Sequence, residues 1–496
     1  MLRPATRAAV IRNHTFFKIR SASTDELPVQ RFSFFLLKTV VVVGVLAVAA
    51  LMVLDVTGRD DAAGEASGLV TNQAGLHPGL ISDDTSELFD QETLRTYAFE
   101  LDPADLAFLD ADPVAEVYVP ATLRVDGLAV GEVGLRYKGS VGAFVGCTES
   151  NIVLEPGGAK TCTKLSMKTK VNWDGNGQEF FGVRRLQFHS QNLDPSHLRE
   201  RLGYWIFAEM GVPSPRSVHA RVEVNGEYVG LFALTENIDG RFVREFFDDG
   251  SGNLYKATWP TASHGAVREE ADFLSALRTN EDDSDVSAAM IQQFAADVIA
   301  DPTTARAALD RWTDLDTLLT YFAIDRAIRH DDGPLHWWCG GRGCGNSNFF
   351  WYEEPDADLV HLIPWDLDGA FENLGTEVNE ITWVADDFGQ IRNDCEPFLA
   401  FAGAQPQRSA ACDPILAAAA SFETELAAID AALRNGPFTR IDEQLELWTS
   451  QIRRSVVQAD NTHDDAVTIE GWEQAVQQLR VDLGLASPTG TADDGE

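Results

Sequence analysis

The stretch VHARVEVNGEYVGLFALT, residues 218–235, has the pattern of two strands joined by a tight turn. Apolar residues recur along Val218–Val224 and again along Tyr228–Leu234, and Asn225-Gly226 separates the two runs. A type I′ turn needs positive φ at both central positions, which Asn and Gly adopt readily. The sequence therefore predicts an antiparallel hairpin here.

More strands are predicted before this hairpin, with one helix between them. Val117–Val125 and Val130–Tyr137 alternate on either side of a turn at 126–127, and Leu165–Val171 alternates as well. The helix is expected to begin at its cap Asp194 and to end at Gly211.

The second half of the chain is predicted to be mainly helical. Asp314 can cap a helix that runs to about His330, and further helices are expected near 413–434, 440–458 and 468–484. A strand-rich half followed by a helix-rich half predicts the α+β class, with a strand-rich N-lobe, a helical C-lobe and a cleft at their junction.

The charge of the chain is strongly negative and unevenly distributed. The formal net charge is −38, yet residues 1–38 hold seven basic and two acidic residues, a net of +5. A polyanionic surface repels nucleic acid, so DNA or RNA binding is disfavoured. Basic partners are favoured, although a solvated acidic surface without a specific partner explains the charge equally simply.

An apolar run near the N-terminus predicts a membrane segment. Residues 32–54 are interrupted only by Lys38, and they are long enough for a bilayer core of about 20 residues. Basic residues precede the run, so the positive-inside rule places the N-terminus in the cytoplasm and the rest outside. A cleaved signal peptide is the alternative, but its basic region would be unusually long.

These features divide the chain into five parts. We predict a cytoplasmic basic tail at 1–31, a single-pass transmembrane signal anchor at 32–54, a flexible linker at 55–84, a folded extracytoplasmic domain at 85–484 and a disordered tail at 485–496. The six cysteines form three sequence-local pairs, which in an exported chain predicts disulfides. A zinc site is disfavoured because the chain has no CxxC pair.

Basic residues cluster in two segments of the strand-rich half. On a strand, Lys164, Lys168 and Lys170 share one face, and three ammonium groups on one face repel each other unless an anion lies among them. Gly139 could let backbone N–H groups approach a phosphate. The simpler interpretation is a basic edge strand that blocks aggregation. Glu236 ends an apolar strand face, where a carboxylate needs a partner such as Lys168 or Lys170, unless it lies in water past the strand end.

Oxygen ligands concentrate in three segments of the second half. Asp331 and Asp332 end a predicted helix, Asn348 begins an aromatic strand, and Asp366 and Asp368 follow an apolar strand. Phosphoryl transfer uses such a set, with a carboxylate to orient the acceptor hydroxyl and Asn plus Asp to hold Mg²⁺. A structural calcium site would use comparable ligands, and lone aspartates at strand ends are often turn formers.

Seven motifs in order over residues 133–373 resemble the CotH (spore coat protein H) kinase family. They are Arg136-x-x-Gly-Ser140, Lys164-x-Ser-x-Lys-x-Lys170, Met210-Gly-Val-Pro213, Val224-Asn-Gly-Glu-Tyr-Val-Gly-Leu231 with Thr235-Glu-Asn-Ile-Asp239, Asn253-Leu-Tyr-Lys256, His330-Asp-Asp332, and Ser347-Asn-Phe-Phe350 with Pro364-Trp-Asp-Leu-Asp368. The resemblance implies an atypical protein-kinase-like fold, binding of ATP with Mg²⁺ (or Mn²⁺), and transfer of phosphate to protein Ser or Thr.

The resemblance also implies roles for particular residues. Asp331 resembles the catalytic aspartate, with Asp332 as the fallback, and Asn348, Asp366 and Asp368 resemble the metal ligands. The implied nucleotide-binding residues are Lys168 or Lys170 as the phosphate clamp, Glu236 to orient it, and Lys164, Arg136, Gly139 and Ser140.

One insertion departs from the family pattern. Residues 335–345 separate the catalytic aspartate from Asn348, and a Cys339–Cys344 bridge would make them a protruding loop with Trp337 and Trp338 as acceptor anchors. The insertion could instead displace Asn348 and disable the site. The sequence thus predicts a membrane-anchored extracytoplasmic Ser/Thr kinase of surface or envelope proteins, with a basic acceptor among the candidates. A catalytically inactive adhesion or invasion module is the alternative.

Overall fold

The computed structural model describes residues 84–485, apart from 151–154, 263–264, 331, 341–342, 372–394 and 401–404. The predicted tail and anchor at 1–54 and nearly all of the linker lie outside this part, as does Asp331. Within the described residues, no helix combines the length and the apolar character needed to span a bilayer.

Seven strands form a closed barrel in the order β1-β2-β3-β4-β5-β7-β6. Neighbouring strands are antiparallel except β1 and β6, whose parallel pairing closes the barrel. The strands are β1 Arg95–Glu100, β2 Val119–Val125, β3 Leu128–Tyr137, β4 Met167–Lys170, β5 Arg185–His189, β6 Ser217–Val224 and β7 Glu227–Thr235.

Two smaller sheets follow the barrel along the chain. They consist of β8 Leu254–Lys256, β9 Trp337–Gly340, β10 Gly343–Gly345, β11 Phe349–Glu354, β12 Leu359–Pro364, β13 Phe398–Ala400 and β14 Gln405–Arg408. Strand β11 lies between β8 and β12, and the other sheet has the order β10-β9-β14-β13.

The α-helices of the described residues lie mainly after the barrel. They are α1 Thr85–Leu88, α2 Pro103–Ala111, α3 Val141–Phe144, α4 Arg199–Glu209, α5 Gly240–Phe246, α6 Glu270–Ser275, α7 Ala289–Ala300, α8 Ala305–Trp312, α9 Leu315–Ala327, α10 Pro414–Ala420, α11 Glu423–Asn435, α12 Ile441–Thr462 and α13 Ile469–Asp482. The α+β class predicted from the sequence is confirmed.

The quoted hairpin is confirmed as β6 and β7. Asn225 and Gly226 have φ of 51° and 82°, as a type I′ turn requires. The barrel encloses one apolar core, and a second core joins α4 to the later helices and to β11 and β12.

Strand β4 lies inside the barrel wall, between β3 and β5, and is not an edge strand. Met167 points into the barrel core, so Lys168 and Lys170 point outward by alternation. Arg136 and Gln187 flank Lys168 on the neighbouring strands. The basic residues therefore belong to the outer surface of the barrel.

Helix α4 begins at Arg199 with Leu198 at its cap position, four residues later than the sequence predicts. Asp194 instead accepts hydrogen bonds from the backbone N–H groups of Ser196 and Arg199, at 2.9 Å each. His197 has φ of 61°, which a helix cannot contain. The aspartate therefore caps a tight turn that leads into the helix.

All three predicted disulfides form: Cys147–Cys162, Cys339–Cys344 and Cys395–Cys412. The expectation that residues 335–345 protrude with exposed tryptophans is wrong. The Cys339–Cys344 bridge joins β9 to β10, and β9 pairs with β14. Trp337 and Trp338 are therefore buried, at 0% and 1% exposure.

Candidate functional site

Asp366 lies directly after β12, in a loop held by two other elements. Its backbone is left-handed, with φ of 57°. Its N–H donates to the Tyr204 hydroxyl on α4 at 3.0 Å, and its carbonyl oxygen lies 3.2 Å from His330 Nε2. Leu367, the next residue, is buried against Gly203 of α4. The backbone of Asp366 is thus held by α4 and by the segment after α9.

His330 lies between two acceptors. Its Nδ1 is 2.9 Å from Asp325 Oδ1, and its Nε2 faces the Asp366 carbonyl. When Asp325 is ionised both neighbours are acceptors, and this arrangement favours a ring that is protonated on both nitrogens. Burial opposes this charge, but the hydrogen bond and charge of Asp325 raise the pKa of His330 above its usual value. Asp325 thus favours the protonated form of His330 next to the aspartates.

Asp332 and Asn348 are hydrogen-bonded to each other. Asn348 Nδ2 donates to Asp332 Oδ2 at 2.7 Å, and Ser347 Oγ lies 3.3 Å from Oδ1. Burial raises the pKa of Asp332 to about 6, with Asp366 adding to the rise and His330 opposing it. The insertion at 335–345 has therefore not separated Asn348 from Asp332.

Asp368 adds another carboxylate to this group. Burial raises its pKa well above the usual value, and the negative charges of Asp366, Glu200 and Asp332 raise it further. Among the residues that the structure describes, no three His, Cys, Asp or Glu side chains are grouped as a complete set of metal ligands. The cluster is acidic and oxygen-rich, and its charges are only partly balanced.

Lys138 supplies a positive charge from the barrel, just after β3. Its Nζ lies 2.7 Å from His189 Nε2 and 3.1 Å from Gln187 Oε1. It also lies 5.6 Å from the centre of the Trp365 ring, and Lys256 lies 5.8 Å from the same ring. Burial lowers the pKa of Lys138 to about 8, although the Asp366 charge opposes that shift. An ammonium of the barrel thus faces the oxygen cluster.

Comparison with known protein families bears on this arrangement. A family profile described as "CotH kinase protein" matches residues 135–481. The chain belongs to the CotH kinase family. Inner spore coat protein H of Bacillus subtilis (strain 168) is 22% identical over 294 residues, which cover 57% of this chain and 70% of that protein. An inner spore coat protein H-like protein of the same organism is 29% identical over 68 residues, only 14% of this chain and 21% of that protein.

The lysines that the CotH resemblance assigns to nucleotide binding differ in burial and in the residues that they contact. Lys168 is buried on the outer face of the barrel, while Lys170 lies two residues further along β4 and is half-buried. Lys164 donates to the carbonyl oxygen of Leu231 at 3.1 Å, and burial lowers its pKa to about 8. The charges that act on Lys164 are Asp194 and Asp465 rather than Asp366.

The predicted phosphate loop of the CotH motif makes contacts within the chain. Arg136 forms an ion pair with Glu116, and the Gly139 N–H donates to Glu116 Oε1 at 3.1 Å. Ser140 is exposed. A carboxylate of the chain therefore occupies two of the groups predicted for phosphate.

Glu236 does not pair with a lysine, contrary to the expectation from the sequence. Arg216 binds it through Nε at 2.9 Å and NH2 at 2.6 Å, and Arg241 forms a further ion pair with it. Its side chain is almost fully buried, so this arginine pair balances its charge.

Sequence reasoning missed Lys138, His189 and Glu200. Lys138 is part of the Arg136–Ser140 motif, and it lies directly after β3, two residues beyond Arg136. Its place immediately before Gly139 was the available signal. No local pattern marks His189, since it acts through contacts with distant residues.

Proposed function

We propose that this CotH family protein is an ATP- and Mg²⁺-dependent protein Ser/Thr kinase. The observation that carries the proposal is that the Lys138 ammonium lies against Trp365 and within the influence of the Asp366 charge, while Asp366 acts in turn on Asp332, which is hydrogen-bonded to Asn348. Lys138 belongs to the barrel, and the oxygen donors belong to the later half of the chain. A two-lobed kinase-like arrangement is part of the same proposal.

The residues present fit a magnesium ion. Mg²⁺ prefers oxygen ligands and is held in nucleotide sites by one or two carboxylates together with substrate phosphates. Burial and mutual repulsion raise the pKa of Asp332 and of Asp368, which is the signature of excess negative charge. When bound, Mg²⁺ would neutralise charge on the phosphates. Asn348, Asp366 and Asp368 would hold it.

Side chains of the protein would bind the phosphate, accept the proton of the acceptor hydroxyl and position the metal ligands. Lys138 binds a phosphate oxygen through its ammonium. Asp332 or its neighbour Asp331 accepts the proton of the acceptor hydroxyl, and a carboxyl with a pKa of about 6 can do so near neutral pH. His330 holds the Asp366 backbone and places positive charge beside Asp332.

We further propose that residues 32–54 anchor the domain to the membrane on its extracytoplasmic side. The three disulfides of the described residues support this location, because such bonds persist in oxidising compartments. The acceptor would be a surface or envelope protein, and the negative charge of the chain favours a basic one.

One observation favours the catalytically inactive alternative. Glu116 occupies Arg136 and the Gly139 N–H, which the resemblance assigns to phosphate. An adhesion module that has kept the fold would bind its partner equally well without the aspartates of the cluster.

The test incubates full-length protein with labelled ATP, Mg²⁺ or Mn²⁺, and a generic basic protein acceptor. We expect Asp366→Asn to reduce labelling at least about 100-fold, and Asp332→Asn or Asp331→Asn to do the same for whichever residue is the base. Asp358→Asn is the matched control, because Asp358 is exposed and its φ of 55° is like that of Asp366.

Equal labelling in all five proteins would refute the kinase assignment. MgATP should also raise the melting temperature of the wild type but not of Asp366→Asn. Stabilisation by Ca²⁺ without nucleotide would support a structural calcium site instead.

A further inference from the structure

Glu200 and His189 form a buried pair between α4 and β5. His189 Nδ1 lies 2.7 Å from Glu200 Oε1, and the same oxygen accepts from the Thr235 hydroxyl at 2.9 Å. Glu200 has no exposed surface, and its Oε2 has no hydrogen-bond partner among the described residues. Because a carboxylate only accepts, His189 must carry its proton on Nδ1.

The other nitrogen of His189 faces Lys138. Its distance to Lys138 Nζ is 2.7 Å, and an ammonium only donates. His189 Nε2 must therefore be the unprotonated acceptor, so the ring is the neutral Nδ1–H tautomer. The three groups form a directed chain from the Glu200 carboxylate through the imidazole to the ammonium.

This chain fixes the orientation of the ammonium. His189 and Gln187 accept two of its three N–H groups, and among the described contacts these are its two hydrogen bonds. The third N–H remains for a ligand. Trp365 limits the space around the ammonium, with His189 packed edge-on against the same ring at 5.7 Å. Trp365 immediately precedes Asp366, whose charge acts on Lys138, so the ammonium lies beside the acidic cluster.

A second His–Glu pair, His361 with Glu354, allows comparison with the pair of His189 and Glu200. His361 Nε2 lies 2.9 Å from Glu354 Oε2, and its ring packs against Phe247 and Tyr352. That pair contributes packing and one hydrogen bond without a lysine. His189 differs because its second nitrogen continues to Lys138.

We propose that His189 is a positioning residue that links Glu200 to Lys138 and holds the Lys138 ammonium ready to bind a phosphate group of a nucleoside triphosphate. This inference rests on the proposed function and deepens it. Lys138 contacts the phosphate, whereas His189 and Glu200 act through Lys138.

Two substitutions of His189 test its contact with Glu200 and its contact with Lys138 separately. His189→Asn keeps a donor near the Nδ1 position for Glu200 and removes the acceptor for Lys138. His189→Gln places an amide near the Nε2 position and loses the bond to Glu200. We expect His189→Asn to raise both the dissociation constant of MgATP and the KM for ATP about tenfold, with a smaller effect on kcat. Calorimetry measures the dissociation constant. His189→Gln should bind MgATP more tightly than His189→Asn.

Controls exclude a general loss of folding. His361→Asn should leave MgATP binding unchanged. In a Lys138→Met background, His189→Asn should have no further effect on MgATP binding, because the residue through which it acts is gone. Additive losses in that double variant would overturn the inference.

A measurement on the nucleotide-free protein tests the geometry directly. Nitrogen NMR of the full-length protein should show His189 as the Nδ1–H tautomer, and the Nε2–H tautomer or an imidazolium would overturn the inference. A wild type that fails to bind MgATP overturns the proposed function. A wild type that binds MgATP as tightly as His189→Asn overturns this inference alone.

Discussion

Gly203 lies where helix α4 comes closest to the loop that carries Asp366. A Cβ at this position would lie 2.8 Å from Leu367 Cδ1 and 3.2 Å from Leu367 Cβ. The contact with Cδ1 forces the Leu367 side chain to move. The contact with Cβ, which is bonded to the backbone, transmits part of this movement to the backbone next to Asp366. Overpacking of this kind costs about 1–3 kcal/mol. Replacing a helical glycine by alanine gains about 1 kcal/mol, so Gly203→Ala should lose about 0–2 kcal/mol net.

The assay for Gly203→Ala has two parts. Urea denaturation of the full-length variant gives the free energy of unfolding, and labelled ATP gives the transfer rate. Because a displacement of about 1 Å at a reacting centre can cost roughly 100-fold in rate, we expect activity to fall more than the loss of stability explains. Gly142→Ala is the control, since its Cβ would meet nothing within 4 Å. Wild-type stability and activity in Gly203→Ala would refute the close-packing argument.

Three further substitutions test separate features of the fold. Glu236→Gln should cost about 3 kcal/mol of unfolding free energy, because it removes the buried carboxylate that Arg216 and Arg241 share and leaves both with Glu245 alone. Glu245→Gln, at the exposed end of the same network, should cost less than about 1 kcal/mol. Burial lowers the pKa of His336 to about 3, below its unfolded value of about 6.5, so the unfolded chain binds the extra proton first as pH falls. Stability should drop from pH 6.5 downwards, by about 3 kcal/mol at pH 4, and His336→Phe should flatten that part of the urea-denaturation profile. Replacing Cys147 and Cys162 by serine should cost about 3 kcal/mol for a loop of this size, as thermal unfolding would report, and an unchanged melting temperature would contradict it.

The two barrel hairpins β2–β3 and β6–β7 were predictable because their turns carry local chemistry, whereas β1 and β5 were not predicted. Asn225-Gly226 and Asp126-Gly127 both adopt the positive φ that their residue types favour. Alternation then determines which side chains enter the core. The turn residues and the alternation each involve only a few neighbouring residues, so they can be recognised in a single sequence.

The start of helix α4 and the environment of the insertion depend on tertiary contacts. Asp194 has the residue type of a helix cap, but the left-handed His197 interrupts the helix after it. Trp337 is buried because β9 pairs with Gln405–Arg408, a segment with no strand pattern of its own. Pairing partners about 70 residues apart leave no signature in either segment.

The acidic residues of the candidate site were predicted from the sequence, whereas its basic residues were predicted only in part. Asp332, Asn348 and Asp366 stand at the ends of regular elements, which the sequence reveals. Lys138 was missed because the groups that select it, Gln187 and His189, are some 50 residues away. The resemblance directed attention to the lysines of β4 instead.

Closure of the barrel by β1 and β6 constrains how the chain folds as it is synthesised. Arg95–Glu100 cannot complete its pairing until Ser217–Val224 has emerged, more than a hundred residues later. Until then a growing sheet has unpaired edges, which other chains can join. Non-local closure of this kind also slows folding. A nascent chain stalled before residue 224 should therefore be the species most prone to aggregate and the one that chaperones protect.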